Sequence, residues 1–211
     1  MNKQILLASS SPYRKALLAQ LGVEFETHAP NIDESVYKGE SAKALALRLS
    51  ISKAQACQAL YPEHYIIASD QVPCLALNSK EVLLSKPGNV KTACEQLRLC
   101  NNKYVHFYTG LCLLVPNGSN DHLPQTQQPS IQRMQTSVER FSVKFRQLSE
   151  HEIQRYITME QPLNCAGSFK VEGLGIHLFD KLDGSDQNSL IGLPLLKLCQ
   201  MLRNVGINPI E

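Results

Sequence analysis

The most constraining feature of this 211-residue sequence is a short apolar run at residues 65–68 (YIIA) that stops abruptly at polar residues. A continuous run of this kind is typical of a strand that is covered on both faces of a sheet. Ser69, Asp70 and Gln71 follow directly, so the sequence predicts that the strand ends there. Ligands of open α/β sheets bind near strand ends, and an unpaired buried carboxylate is costly. Asp70 is therefore expected to meet a metal, a cation or a hydrogen-bond network.

Candidate strands and helices alternate along the rest of the chain. A strand at residues 5–8 is followed by a helix that begins near Pro12 and ends at Gly22. The alternation predicts an α/β fold with a mixed twisted sheet and flanking helices, and the length suits one domain, residues 1–211. Further strands are predicted at 23–28, 104–115 and 137–148, helices at 41–60, 89–100, 149–159 and 194–206, and a polar surface loop at 117–136.

Charge and cysteine content argue against several classes of protein. The chain has 21 basic and 19 acidic residues, a balance that does not favour coating nucleic acid through phosphate contacts. Its seven cysteines are scattered without a Cys-x-x-Cys pair, which argues against a disulfide framework or a structural zinc site. The apolar run near the N-terminus is too short for a signal peptide or a membrane span. We therefore expect a cytoplasmic protein that binds neither nucleic acid polymers nor membranes.

The segment from Ser9 to Lys15 (SSSPYRK) is a candidate anion site. It lies where a strand changes to a helix, so free backbone N–H groups, the hydroxyls of Ser9, Ser10 and Ser11, and the cations of Arg14 and Lys15 converge there. The alternative is an ordinary helix cap with a basic first turn. Cations are disfavoured at a helix N-terminus unless something negative is bound, so the anion site is the favoured interpretation.

Three other charged positions and one loop have structural as well as chemical explanations. Glu34 lies in an acidic loop of a kind that is usually solvated surface. Lys53 lies about 80° from Leu45 around a helix, near the edge of the apolar stripe, where lysines commonly extend their amine to solvent. Lys86 lies in a tight turn that is more often structural than catalytic. The glycine-rich loop 164–176 brings its backbone close to a ligand or to another loop, and glycine spacing alone does not decide which.

Together these segments resemble the Maf family of nucleotide pyrophosphatases. The motifs that carry the resemblance occur in order and span nearly the whole chain. ASDQV and CAGSFKVEGLGI resemble the branch that hydrolyses 7-methyl-GTP rather than the dTTP/UTP branch. The matching segments are LASSSPYRKALL at 7–18, NIDE at 31–34, SKAQA at 52–56, ASDQV at 68–72, SKPG at 85–88, FYTGL at 107–111, CAGSFKVEGLGI at 165–176 and GLP at 192–194.

The resemblance implies a house-cleaning hydrolase that cuts a nucleoside triphosphate into a monophosphate and pyrophosphate. It also implies two lobes around a central cleft, a divalent cation (Mg²⁺ or Mn²⁺) and a homodimer. Asp70 is the implied proton acceptor, and Glu34 with Asp70 the implied metal ligands. Lys53 and Lys86 are the implied catalytic cations that hold the triphosphate. Ser9, Ser11 and Arg14 are implied to bind phosphate. Tyr13, Gln71 and Glu172 are implied to select the base.

One position departs from the family pattern, and several alternative functions stay open. Lys15 stands where the family usually has an arginine, and it lacks the bidentate fork, so we expect no direct phosphate contact from it. The alternative substrates are dTTP, UTP or other non-standard purine triphosphates. A different class of function is a nucleotide-sensing protein that acts on cell division without hydrolysis. Such a protein would bind nucleotide and release no pyrophosphate.

Overall fold

The computed structural model describes residues 3–77, 80–116 and 133–211, which form a mixed α/β fold as predicted. A single seven-stranded sheet has the order β2-β1-β3-β5-β6-β7, and β4 also pairs with β3. The pairs β1–β2 and β1–β3 are parallel and the other pairs are antiparallel. The strands are β1 Ile5–Ala8, β2 Glu26–His28, β3 Tyr65–Leu77, β4 Lys80–Leu83, β5 Tyr104–Leu114, β6 Met134–Phe145 and β7 Phe179–Asp183. The helices are α1 Pro12–Ala19, α2 Ala42–Gln58, α3 Val90–Cys100, α4 Glu150–Glu160, α5 Gln187–Ile191 and α6 Leu195–Asn204.

The central strand β3 is much longer than predicted. It does not end at Asp70 but continues to Leu77, so the prediction of a strand end there is wrong. Its pairing with β5 is continuous from Ile66 to Cys74, and Leu75 beyond that is completely buried. The polar residues do not end the strand because neighbouring elements supply hydrogen bonds to their side chains. Asp70 therefore lies within a buried strand.

Two strands share one edge of β3 and leave a gap between them. β1 pairs with Tyr65 to Ile67 in parallel, and β4 pairs with Cys74 to Leu77 in the antiparallel direction. Residues 68–73 lie between these two ladders. The chain leaves the sheet for α1 on one side of the gap and for the Lys86 turn on the other. This divergence opens a cleft beside Asp70.

Helix α2 packs unusually close to the sheet because of a glycine in β5. A Cβ on Gly110 would lie 2.1 Å from the carbonyl oxygen of Ala46, so only glycine permits this approach. Gly110 pairs with Asp70 in the sheet, which brings the side chain of Asp70 to the same face as the helix. The close packing places Lys53 of α2 over β3.

The ends of the other elements largely follow their sequence signals. Ser149 and Glu152 form the capping box predicted for α4. Gly22 and Gly206 have positive φ just after α1 and α6, a conformation that is common past a helix end. The second strand is shorter than predicted, beginning at Glu26. Of the predicted loop 117–136, residues 117–132 lie outside the described residues, and 134–136 belong to β6.

The core is divided into separate clusters around the sheet. One cluster joins α3 and α4 to β5, β6 and the 166–178 segment. A second packs α1 and α6 on β1 and β3, and two smaller clusters lie beneath α2. The seven cysteines are free thiols, and five of them are buried. No helix in the described part of the chain is both long and apolar enough to cross a membrane.

Candidate active site

A cleft of about 860 Å³ lies between the core clusters. Every residue with a predicted catalytic, metal-binding, phosphate-binding or base-selecting role lines it. Its walls combine β3, the start of α1, α2, the Lys86 turn and the 164–172 loop. Lys15 is not among the residues that line the cleft. The nominated residues in the lining are Ser9, Ser11, Tyr13, Arg14, Glu34, Lys53, Asp70, Gln71, Lys86 and Glu172.

Lys53 joins the two nominated carboxylates. Its Nζ lies 2.8 Å from Oε1 of Glu34 and is hydrogen-bonded to Oδ1 of Asp70. Lys53 and Asp70 are only 8% and 7% exposed, so their pairing is poorly screened by water. The sequence left open whether Lys53 extends its amine to solvent or into a site. The structure shows the second arrangement, because α2 packs against β3 and directs the amine into the cleft. Three charges from three distant parts of the sequence thus meet at one point.

The loop that carries Glu34 is not merely solvated surface. The Glu34 side chain is 57% exposed, yet its carboxylate reaches the buried Lys53. Partial burial raises the pKa of Glu34, but the hydrogen bond and charge of Lys53, with smaller effects from Lys86 and Arg14, leave this pKa below its ordinary value. Arg48 anchors the loop, since it donates to Glu40 at 2.7 Å and to the carbonyl of Ser35 at 2.8 Å.

Arg14 supplies a cation on the α1 side of the cleft. Its Nε donates to the carbonyl of Gly192 at 2.9 Å, which fixes the guanidinium beside the charged cluster. Burial lowers the pKa of Arg14, whereas the charges of Asp70 and Glu34 act in the opposite direction. A cation whose water shell is depleted gains from an added anionic ligand. Arg14 is therefore suited to bind a phosphate.

The sequence left two interpretations of the serines before α1, an ordinary helix cap and an anion site, and the structure is compatible with both. The backbone N–H of Arg14 donates to Oγ of Ser11 at 3.4 Å, which is an ordinary helix cap. The N–H of Ser11 donates to Oγ of Ser9 at 3.1 Å. Both serines nevertheless line the cleft, so capping and contact with an anion are compatible.

A short helix that the sequence did not predict orients several site residues. The Nε2 of Gln71 donates to the carbonyls of Ser189 at 2.8 Å and Leu190 at 3.0 Å in α5. Ser69 donates to the carbonyl of Gly192, the same oxygen that Arg14 contacts. Helix α5 has only five residues, too few for apolar periodicity to reveal it. Asp186, which caps it, was the available signal.

The rim of the cleft is more open. Tyr13 is 39% exposed, and Glu172 and Lys86 are also exposed. Lys170, for which the sequence predicted no role, also lines the cleft. Its Nζ lies 3.2 Å from Oε1 of Glu160. Burial lowers the pKa of Lys170, and the hydrogen bond and charge of Glu160 raise this pKa above its ordinary value overall.

The glycines of the 164–176 loop meet other parts of this chain rather than an open space. A Cβ on Gly173 would lie 2.5 Å from a carboxylate oxygen of Glu160, and one on Gly175 would lie 2.1 Å from the carbonyl of Lys170. This answers the question left by glycine spacing. These two glycines allow the loop to pack on itself and on α4, and this packing holds Lys170 and Glu172 at the cleft.

The carboxylates of Glu34 and Asp70 are suited to a divalent cation that enters the cleft already bound to a phosphate. Within residues 3–77, 80–116 and 133–211, no group of three or more His, Cys, Asp or Glu side chains could hold a metal ion. The carboxylates of Glu34 and Asp70 both contact the ammonium group of Lys53, and their oxygens are hard donors that a metal ion could use. Mg²⁺ is commonly bound through one or two carboxylates, waters and substrate phosphates rather than by a complete protein cage. The donor set therefore fits a phosphate-bound divalent cation.

A comparison with protein families supports a nucleotide-processing site. A family model described as Maf-like protein matches residues 4–205, which is nearly the whole chain. The match includes every residue that lines the cleft.

Proposed function

Because the chain belongs to the Maf-like protein family, we propose that it is a metal-dependent nucleoside triphosphate pyrophosphatase that hydrolyses 7-methyl-GTP to 7-methyl-GMP and pyrophosphate. Family membership points to nucleotide pyrophosphatase chemistry in general, and the substrate is our inference. The observation that supports it most is the contact of Lys53 with both Glu34 and Asp70, inside a cleft that also contains Arg14 and Lys86.

Cleavage between the α- and β-phosphates requires in-line attack by water and neutralisation of charge on the phosphate oxygens. Mg²⁺ or Mn²⁺ held by Glu34 and Asp70 would withdraw charge from these oxygens and make a water easier to deprotonate. Asp70 accepts the proton of the attacking water. Lys53 neutralises the carboxylates and holds them within reach of one ligand.

The cations of the cleft hold the triphosphate. Arg14 presents a planar fork of donors that matches a phosphate, and its Nε bond to Gly192 restricts its orientation. Lys86 contributes a flexible charge from the turn after β4. Ser9 and Ser11 add hydroxyl groups at the start of α1. Pyrophosphate leaves while its charge is offset by these groups.

Two rim residues account for the choice of base. Tyr13 can stack on 7-methylguanine, whose positive charge strengthens attraction to an aromatic face. Glu172 can accept hydrogen bonds from N1–H and the amino group of that base and offset its charge. A pyrimidine lacks this combination of charge and donors. The pairing of Tyr13 with Glu172 therefore favours a methylated guanine.

The proposal is tested by pyrophosphate release from 7-methyl-GTP, GTP, ITP, dTTP and UTP, with and without Mg²⁺ or Mn²⁺. The expected result is metal-dependent release with the highest kcat/KM for 7-methyl-GTP. Preference for dTTP or UTP would contradict the proposed substrate, and preference for ITP would indicate the broader purine alternative. Nucleotide binding without release would indicate a sensor. A homodimer and a cytoplasmic location are further parts of the proposal, which size measurement and fractionation test.

A further inference from the structure

The turn at residues 85–88, which carries Lys86, is held by its main chain rather than by the lysine side chain. Lys86 is exposed, and within the described part of the chain its ammonium group makes no hydrogen bond or ion pair. Lys53, by contrast, is held by two carboxylates. The contacts that fix residues 85–88 therefore determine where the cation of Lys86 lies in the cleft.

Both ends of this turn are bonded to segment 163–168, at the start of the glycine-rich loop. The N–H of Gly88 donates to the carbonyl of Leu163 at 3.0 Å, and the N–H of Gly167 donates to the carbonyl of Ser85 at 3.4 Å. The second bond is longer than the usual ~2.9 Å and is correspondingly weak. The main chain alone thus joins the two segments by one good and one weak hydrogen bond.

Gln96 of α3 reinforces this junction from outside the cleft. Its Nε2 donates to the carbonyl of Ser85 at 3.0 Å, and its Oε1 accepts from the hydroxyl of Ser168. A carbonyl only accepts, so the amide of Gln96 has one workable orientation and the hydroxyl of Ser168 must donate. Gln96 is not among the residues that line the cleft. One side chain therefore bridges the Lys86 turn and the glycine-rich loop.

Ser168 supplies the firm side of this bridge. It is completely buried and has a φ of 64°, in the left-handed region that non-glycine residues rarely adopt. A glycine would adopt this conformation more easily but would leave Gln96 without its hydroxyl partner. The next residue, Phe169, is buried and packs edge-on against Phe107 and Phe145. The bridge thus joins an exposed turn to a part of the loop that is anchored in the core.

We propose that Gln96 is a positioning residue that anchors the Lys86 turn on the buried part of the glycine-rich loop and so presents Lys86 to the phosphates of the substrate; this rests on the nucleotide-binding function proposed above. Gln96 acts through the carbonyl of Ser85 and does not touch the substrate. Without the bridge the main-chain bonds remain, so the turn stays folded and Lys86 samples more positions. Binding then weakens, because this freedom is lost when the ligand binds.

A double-mutant cycle tests whether Gln96 acts through Lys86. Gln96→Met keeps the length of the side chain and removes both hydrogen bonds, and Gln200→Met, at an exposed position of α6, is the matched control. Binding of α,β-methylene-GTP with Mg²⁺ is measured by calorimetry, with Lys86 intact and with Lys86→Ala. This analogue cannot be cleaved between the α- and β-phosphates, so the result is independent of whether the protein is a hydrolase.

We expect Gln96→Met to weaken binding about 3- to 10-fold, the effect of one lost hydrogen bond, and Gln200→Met to leave it unchanged. Combined with Lys86→Ala, Gln96→Met should weaken binding by less than about twofold, because the cation that it positions is absent. An equal loss with and without Lys86 would overturn the proposal, since Gln96 would then act on the fold in general. Native affinity in Gln96→Met would overturn it as well.

Amide exchange, followed by NMR without ligand, tests the anchoring independently of any nucleotide. The amides of Gly88 and Gly167 should exchange about threefold faster or more in Gln96→Met, whereas Ala93 in the first turn of α3 should keep its native rate. Unchanged exchange at both glycines would refute the proposal. Equal acceleration at Ala93 would also refute it, because the variant would then loosen the whole helix. If the native protein does not bind the analogue, the proposed function fails, and the exchange rates still decide the role of Gln96.

Discussion

The cleft has a charged centre, formed by Arg14, Glu34, Lys53 and Asp70, and a rim, formed by Tyr13 and Glu172. The centre is tied together by ion pairs and by the contact of Arg14 with Gly192, and its key pair is almost fully buried. Both rim residues are exposed. A fixed centre suits a reaction common to all nucleoside triphosphates, whereas an open rim suits the choice of base. Changes at the centre should affect catalysis and stability, and changes at the rim should affect selectivity.

Asp70→Asn should have the largest effect. It removes the proton acceptor but keeps a similar shape, so kcat for pyrophosphate release should fall about 10²- to 10⁴-fold. The exposed Asp180→Asn serves as the matched control and should retain the native rate. An unchanged kcat in Asp70→Asn would remove Asp70 from the mechanism.

Lys53→Met should mainly reduce stability. It leaves the buried Asp70 carboxylate without its cation, which destabilises a protein by about 3 kcal/mol when such a pair is nearly fully buried. Denaturant unfolding measures the change, with Lys15→Met at an exposed position of α1 as the control. Equal free energies of unfolding for Lys53→Met and Lys15→Met would show that the pair adds no net stability.

Glu172→Gln should change selectivity at the rim. The neutral amide no longer offsets the charge of 7-methylguanine, so the ratio of kcat/KM for 7-methyl-GTP to that for GTP should fall roughly tenfold. Stability should stay native because Glu172 is exposed. Glu24→Gln, which lies outside the cleft, should leave the ratio unchanged. A constant ratio in Glu172→Gln would exclude this residue from base selection.

The smallest expected effect is the pH dependence of the Glu34 contact. Its pKa in the folded protein lies below 4.5, because Lys53 outweighs the opposing effect of burial. Its stabilising contribution is therefore fully present above pH 4.5 and is lost as the pH falls through the lowered pKa. The difference in Tm between the native protein and Glu34→Gln should narrow between pH 6 and pH 3. A difference that widens toward acid would contradict the assigned direction.

The sequence anticipated most of the fold where its signals are local. The apolar run before Ser69, the capping box at Ser149 and the glycines after α1 and α6 each depend on neighbours a few residues away. Prediction from the sequence failed where contacts with distant elements determine the local structure. β3 passes through Asp70 because Lys53 and α5 satisfy the polar side chains, and neither partner is close in sequence.

The sequence by itself determined which residues carry charge, which segments can be strands or helices, and the family motifs that place Asp70, Lys53 and Glu34 in one site. Only the tertiary structure decided that Lys53 points inward, that α5 fixes Gln71, and that a gap opens beside β3. The physical reason is that local preferences act within a few residues, whereas burial and ion pairing depend on packing between segments far apart in the chain. The close approach permitted by Gly110 is one such contact, and it brings Lys53 to Asp70.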